Sequence, residues 1–137
     1  MADTATTQAI DRTAAQPALH WFEIPVRDMD RAQAFYEALL VRPMRREQMG
    51  GNLLAIFAYD EPAVGGYLMA GATAPETSAQ GALVYLNAGA SLDAVLARVE
   101  AAGGRITTQK VALPGDMGCF AHIADTESNR VGLHAAA

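Results

Sequence analysis

His20–Leu40 reads HWFEIPVRDMDRAQAFYEALL, and this stretch decides the fold. Its first part alternates. Trp21, Glu23 and Pro25 fall on one face of an extended strand, and His20, Phe22, Ile24 and Val26 on the other. The Phe22/Ile24/Val26 face is apolar and wants cover. Cover follows at once: Asp28 is a helix cap, and Met29, Ala32, Phe35, Tyr36, Leu39 and Leu40 recur at three- and four-residue steps. The helix is expected to pack on the Phe22/Ile24/Val26 face. Trp21 and Glu23 then look across the sheet, away from the helix. A carboxylate in mid-strand is costly to bury without a partner, so the far side of the sheet is expected to be a cavity and not a plain core.

Working outward, the chain has 137 residues, enough for one domain with a real core and too few for two ordinary ones. Hydrophobic residues are 51% and charged residues 18%, a globular composition. The net charge of −5 leaves no basic footprint and excludes nucleic acid as an expected partner. No apolar run approaches the roughly 20 residues of a membrane helix, so no membrane partner is expected. A lone cysteine, Cys119, cannot form an internal disulfide. Residues 1–17 are read as a disordered tail without a secretory apolar stretch, and the cytoplasm is the expected compartment. Residues 18–137 are read as one domain.

After the first helix, Arg42-Pro43 ends the helical pattern. Met44 to Met49, Leu53 to Tyr59 and Val64 to Ala70 read as strands, punctuated by Gly50-Gly51-Asn52 and Asp60-Glu61-Pro62. Gly71 to Gln80 reads as a linker. The order then repeats: strand Gly81 to Ala88, a helix Leu92 to Ala102 capped by Ser91 and stopped by Gly103-Gly104, then strands Arg105 to Leu113, Cys119 to Ala124 and Arg130 to His134. The fold class is α+β, with two βαβββ modules at 19–70 and 81–135 curling a mixed sheet around a central cavity. Overlaying the modules sets Trp21 on Leu83, Glu23 on Tyr85, Gly65 on Gly132 and Tyr67 on His134.

Three pieces carry a family resemblance: IPVRDMDRAQAFYEALL, LDAVLARVEAAGG and DTESNRVGLH. They resemble the V-x-D-x-x-x-x-x-x-F-Y and D-x-x-G-N-x-[IV]-x-L patterns of the vicinal oxygen chelate superfamily, the glyoxalase, bleomycin-resistance and extradiol-dioxygenase group. The resemblance spans about residues 19–135. It implies paired βαβββ modules around a site, often in dimers, and a divalent metal held by His or Gln on the first strand, His on the fifth, and Glu on the fourth and eighth. The corresponding positions here are Trp21, a residue near Leu83, and Gly132, and the fourth strand holds no carboxylate. Trp, Leu and Gly supply no metal donor. No metal and no other cofactor is therefore expected at the family position.

The candidate cavity residues that remain are Trp21, Glu23, Tyr67, Met69, Tyr85, Asn87 and His134. Glu23 and His134 are a titratable pair whose strand parity points both inward, a candidate base and its orienting partner; a buried structural hydrogen bond would use the same two groups. Trp21, Tyr67, Met69, Tyr85 and Asn87 are the candidate substrate-binding residues. His20 reads as an edge residue. His122 has uncertain parity, and Cys119 falls at an expected cavity mouth with no basic neighbour to activate it. Gly115 to Gly118 enters a strand, so no helix N-terminus waits there for an anion. Two functions are expected: a glyoxalase-related lyase or isomerase on a small oxygenated molecule, or a metal-free protein that sequesters a small ligand as bleomycin-resistance members do. A homodimer is expected from the resemblance and the apolar composition.

Overall fold

The structure is a computed structural model and describes residues 17–137. The tail read at 1–17 lies, but for Pro17, outside the described residues. The element order is β1 (Trp21–Pro25), α1 (Met29–Leu40), β2 (Arg45–Met49), β3 (Asn52–Ile56), β4 (Gly65–Gly71), β5 (Tyr85–Asn87), α2 (Leu92–Ala102), β6 (Arg105–Ala112), β7 (Cys119–Ala124) and β8 (Arg130–Ala135). This is the expected α+β arrangement of two βαβββ modules. Each module forms its own four-stranded mixed sheet, in the orders β1-β4-β3-β2 and β5-β8-β7-β6. In each, the first strand runs parallel to the fourth and the rest are antiparallel.

Capping starts both helices as the sequence predicts. The Asp28 carboxylate accepts from the Arg31 N–H at 3.0 Å, and the Ser91 hydroxyl accepts from the Ala94 N–H at 3.2 Å. Gly103 ends α2 in the left-handed conformation that glycine adopts freely (φ 111°). α1 ends less comfortably, on Val41 at φ 53°, a region that disfavours β-branched side chains. α1 covers the Ile24/Leu68/Ala55 face of the first sheet, α2 covers the Val131/Leu133/Ile123 face of the second, and the helices pack on each other. Phe35, Leu39, Leu68, Leu92, Val99 and Leu133 are at most 1% exposed and form one continuous core.

No strand of one sheet contacts a strand of the other, and no described element packs on the helix-free face of either sheet. Face-to-face closure is thus not completed within the chain: the modules meet through the helices and the Asp125–Asn129 turn, and the Trp21/Glu23 face stays open. The registers also correct the module overlay. Trp21 stands opposite Gly65 and Tyr85 opposite Gly132, while Glu23 pairs with Tyr67 and Asn87 with His134. The structural equivalents are therefore Trp21 with Tyr85 and Glu23 with Asn87, two residues away from the expected match. The cause is β5, which begins at Tyr85 and leaves Leu83 outside the strand. The equivalences of Gly65 with Gly132 and of Tyr67 with His134 stand.

Candidate functional site

The open face of the first sheet is built by β1 and β4. Alternation sets Trp21 and Glu23 outward, and the parallel register puts Tyr67 beside Glu23. The Tyr67 hydroxyl donates to Glu23 Oε2 at 3.1 Å. Partial burial, then the hydrogen bond and charge of Glu23, raise the Tyr67 phenol above its usual pKa, so Tyr67 serves as a donor and not as a phenolate. Glu23 itself is exposed, so the feared desolvation of a mid-strand carboxylate does not arise. Trp21 stands edge-on to two rings, Tyr67 at 5.7 Å and Tyr59 at 5.5 Å between centroids. The Tyr59 ring lies directly over Gly65, where any Cβ would collide with it. Met69 is on the same face but is buried beneath its neighbours, at 7% exposure.

The open face of the second sheet repeats the device. The Tyr85 ring lies directly over Gly132, and a Cβ there would fall into the ring. The Tyr85 hydroxyl shares a 2.8 Å hydrogen bond with His122 Nε2, and His122 Nδ1 lies 3.1 Å from the Thr108 hydroxyl. Phe120 completes an aromatic patch, 6.0 Å from Tyr85 and 5.3 Å from His122. Burial, then the neighbouring Arg130 cation, hold the His122 imidazole below its usual pKa, so it is neutral at pH 7. His134 lies on this face too; its Nε2–H donates to the Met117 carbonyl at 2.6 Å.

The expected residues thus gather into two groups. Trp21, Glu23 and Tyr67 are brought together on one sheet. Tyr85, Asn87 and His134 come together on the other, where they line a shallow hollow of about 500 Å³ with Met117. Glu23 and His134 make no bond to one another: Glu23 is engaged by Tyr67 and His134 by Met117. A larger space of about 980 Å³ lies between the β3–β4 connection and the β5 region, and of the expected residues only Tyr85 and Asn87 border it. Cys119 is not at a cavity mouth. It is 3% exposed on the helix side of β7, because the Cys119/Ala121/Ile123 alternation belongs to the core. His20 is exposed just before β1, as an edge residue should be.

These features have counterparts in known proteins. The family model for the glyoxalase/bleomycin resistance protein/dioxygenase superfamily matches residues 18–133. The chain belongs to this superfamily. Among solved structures, a point mutant of glyoxalase I from Zea mays is similar at 23% identity and a TM-score of 0.67, covering 86% of this chain and 46% of the maize chain. The present chain thus spans about half the length of that glyoxalase I. A glyoxalase/bleomycin resistance protein/dioxygenase domain from Frankia sp. EAN1pec is similar at 17% identity and a TM-score of 0.67, covering 89% of this chain and 98% of that one. TnmS3, an antibiotic-binding protein from Streptomyces sp. CB03234, is similar at 19% identity and a TM-score of 0.60, with coverage of 89% and 98%. No curated protein matches the chain.

In this superfamily member, the positions that the resemblance assigns to metal ligands do not fit a metal. Trp21 and, by the observed register, Tyr85 stand on the first and fifth strands. Gly65 and Gly132 stand opposite them on the fourth and eighth. A carboxylate at either glycine would have to pass through a tyrosine ring. Among the described residues, no three His, Cys, Asp or Glu side chains form a group that could hold a metal ion, and no helix is long and apolar enough to cross a membrane.

The sequence reading left His122 with uncertain parity and passed over Glu127. His122 was legible: in CFAHIA the small and apolar Cys119, Ala121 and Ile123 claim the core, which leaves Phe120 and His122 on the open face. Glu127 was not. It lies in the Asp125–Asn129 turn yet is 0% exposed. Its carboxylate accepts from the backbone N–H groups of Arg27 and Asp28, both at 2.9 Å, from Arg31 Nε at 2.7 Å and Nη2 at 3.0 Å, and from the Thr126 hydroxyl at 2.9 Å. Burial alone would raise its pKa. The bonds from Arg31, the Asp28 N–H, Thr126 and the Arg27 N–H outweigh that and hold it down to about 2. In the same turn Asp125 accepts from the buried Tyr36 hydroxyl at 2.6 Å, and Asn129 donates to the Pro25 carbonyl at 2.6 Å. Burial first, then the Asp125 charge and hydrogen bond, push the Tyr36 phenol well above its usual pKa.

Proposed function

We propose that this superfamily member binds a small, planar, partly aromatic molecule without a metal and without chemical turnover. The observation that carries the reading is the pair of tyrosines seated on glycines, Tyr59 on Gly65 and Tyr85 on Gly132. Each is flanked by further rings, Trp21 in one case and Phe120 with His122 in the other. Such faces stack planar ligands and supply a few fixed polar groups at their edges: Glu23 with Tyr67, and the Tyr85–His122 pair. The fold likeness to an antibiotic-binding protein supports the same reading. A homodimer supplies the missing cover, since each open face carries exposed aromatic surface and Tyr85 is 48% exposed. The fold likeness to a maize chain about twice as long agrees with two such units working together.

A second reading, a glyoxalase-related lyase or isomerase, is favoured by one observation: Glu23 is an exposed carboxylate held in place by the Tyr67 hydroxyl, a geometry suited to a base. Calorimetric titration with 2-naphthol, a small planar aromatic, paired with a glyoxalase assay, separates the two. Saturable binding that falls at least tenfold in Trp21→Ala, with no turnover, is expected. Turnover that Glu23→Gln abolishes would establish the enzyme instead.

A further inference from the structure

We infer that the space between the Ala58–Val64 connection and the β5 region is a second small-molecule site, taking an uncharged and largely apolar ligand. It adjoins the open aromatic faces and shares Tyr59, Gly65 and Tyr85 with them. Its walls come from the helix side of the first module, Phe22, Leu40, Met44 and Phe57, and from Leu83 and Val84 of the second. At about 980 Å³ it is at the top of the range, roughly 300–1,000 Å³, in which ligand pockets fall.

Three observations point to an occupant. First, four of the partly buried apolar side chains packed on the core, Phe22, Leu40, Met44 and Val84, gather around this space, beside the wholly buried Leu39, Leu68 and Leu92. Apolar side chains left partly in water are stabilised when an apolar ligand covers them. Second, the equivalent gap on the other side of the molecule is plugged by the Asp125–Asn129 turn, which follows the third strand of its module as Ala58–Val64 follows β3. The open gap is therefore not a requirement of the fold. Third, the lining carries one cation, Arg42, and one carboxylate, Asp60, and neither forms an ion pair among the described residues. Their opposite charges cancel at a distance, so the walls select an uncharged body with hydrogen-bonding groups at its ends.

Nile red, an uncharged dye that brightens and shifts to the blue in apolar surroundings, is the probe. With the full chain, saturable binding of one dye per chain is expected, and Trp21→Ala, which alters the open aromatic face and not this space, should leave it unchanged. Val84→Trp places an indole in the space and should weaken binding at least tenfold while the melting temperature holds or rises. Leu83→Trp, on the same wall and outside any strand, repeats the test should Val84→Trp fail to fold. Anilinonaphthalene sulfonate, an anion of similar size, should bind more weakly than Nile red. A folded Val84→Trp or Leu83→Trp protein that binds Nile red as the unaltered protein does would overturn the site. Tighter binding of the sulfonate, lost in the same variants, would overturn the uncharged class of ligand.

Discussion

The two modules face each other across two junctions, one latched and one open. At the first, the Asp125–Asn129 turn reaches into the start of the other module. Glu127 satisfies the N–H groups of Arg27 and Asp28 and accepts a two-pronged bond from Arg31, Asp125 accepts from the Tyr36 hydroxyl, and Asn129 donates to the Pro25 carbonyl. At the second, the Ala58–Val64 connection leaves a space lined mostly by apolar side chains. The difference also marks the two ends of α1. Its N-terminus has a capping Asp28 and a buried carboxylate against the exposed N–H groups, where negative charge is favoured. Its C-terminus, beside the space, turns on a left-handed Val41, although Arg98 Nε on α2 does satisfy the Leu39 carbonyl at 3.0 Å. The chain thus places buried, hydrogen-bonded polar groups at one junction and half-buried apolar side chains at the other.

Breaking the latch is expected to have the largest effect. Glu127→Ala strands two backbone donors and the Arg31 guanidinium. Arg31 is half exposed and can turn to water, so the loss is set at about 3 kcal/mol, toward the low end for a broken buried pair. For a domain of this size that is a fall in melting temperature of roughly 10 °C. Differential scanning calorimetry measures it, and a fall of less than 2 °C would mean that the turn does not hold the modules together.

Acid should open the same junction more gently. The folded-state pKa of Glu127, about 2, lies below its ordinary value of 4.5. The carboxylate's contribution is therefore fully present above pH 4.5 and is lost as pH falls from 4.5 toward 2. Its size is on the order of 2 kcal/mol after allowance for the half-exposed Arg31. Urea melts at pH 6, 4 and 3 should show this loss in the unaltered chain and a flatter profile in Glu127→Gln.

Much of this was legible in the sequence, and the misses have physical causes. Period-two alternation fixed which face of β1 is aromatic and polar, and Asp28, Ser91 and the glycines after α2 marked the helix ends. Alternation carries parity but not register. GALVYLNA alternates throughout, so nothing local says that pairing begins at Tyr85; the parallel partner Gly132, on which the Tyr85 ring rests, sets the start. The Glu23–His134 pairing required the two sheets to meet, which depends on how the modules pack and not on either strand. Glu127 looked like an ordinary turn residue because its partners, Arg27, Asp28 and Arg31, lie about a hundred residues away in the chain.

A smaller effect would sharpen the contrast between the two ends of α1. Val41→Gly removes the strain of a β-branched residue in left-handed backbone, which is worth about 1 kcal/mol, partly offset by the greater freedom of glycine when unfolded. The expected outcome is a rise of a few degrees at most in melting temperature, read by circular dichroism. A fall would show that Val41 makes contacts that outweigh its backbone conformation.

The central claim is that the ring-over-glycine pairs bind a planar ligand where related proteins are expected to keep a metal. The most direct measurement is the affinity for 2-naphthol, by calorimetry, before and after exhaustive dialysis against EDTA, with elemental analysis of the protein. The account predicts saturable binding, less than 0.1 equivalent of zinc, nickel or iron on the order-of-magnitude scale of a site without donors, and an affinity that chelation leaves unchanged. One equivalent of metal whose removal abolishes binding would contradict it.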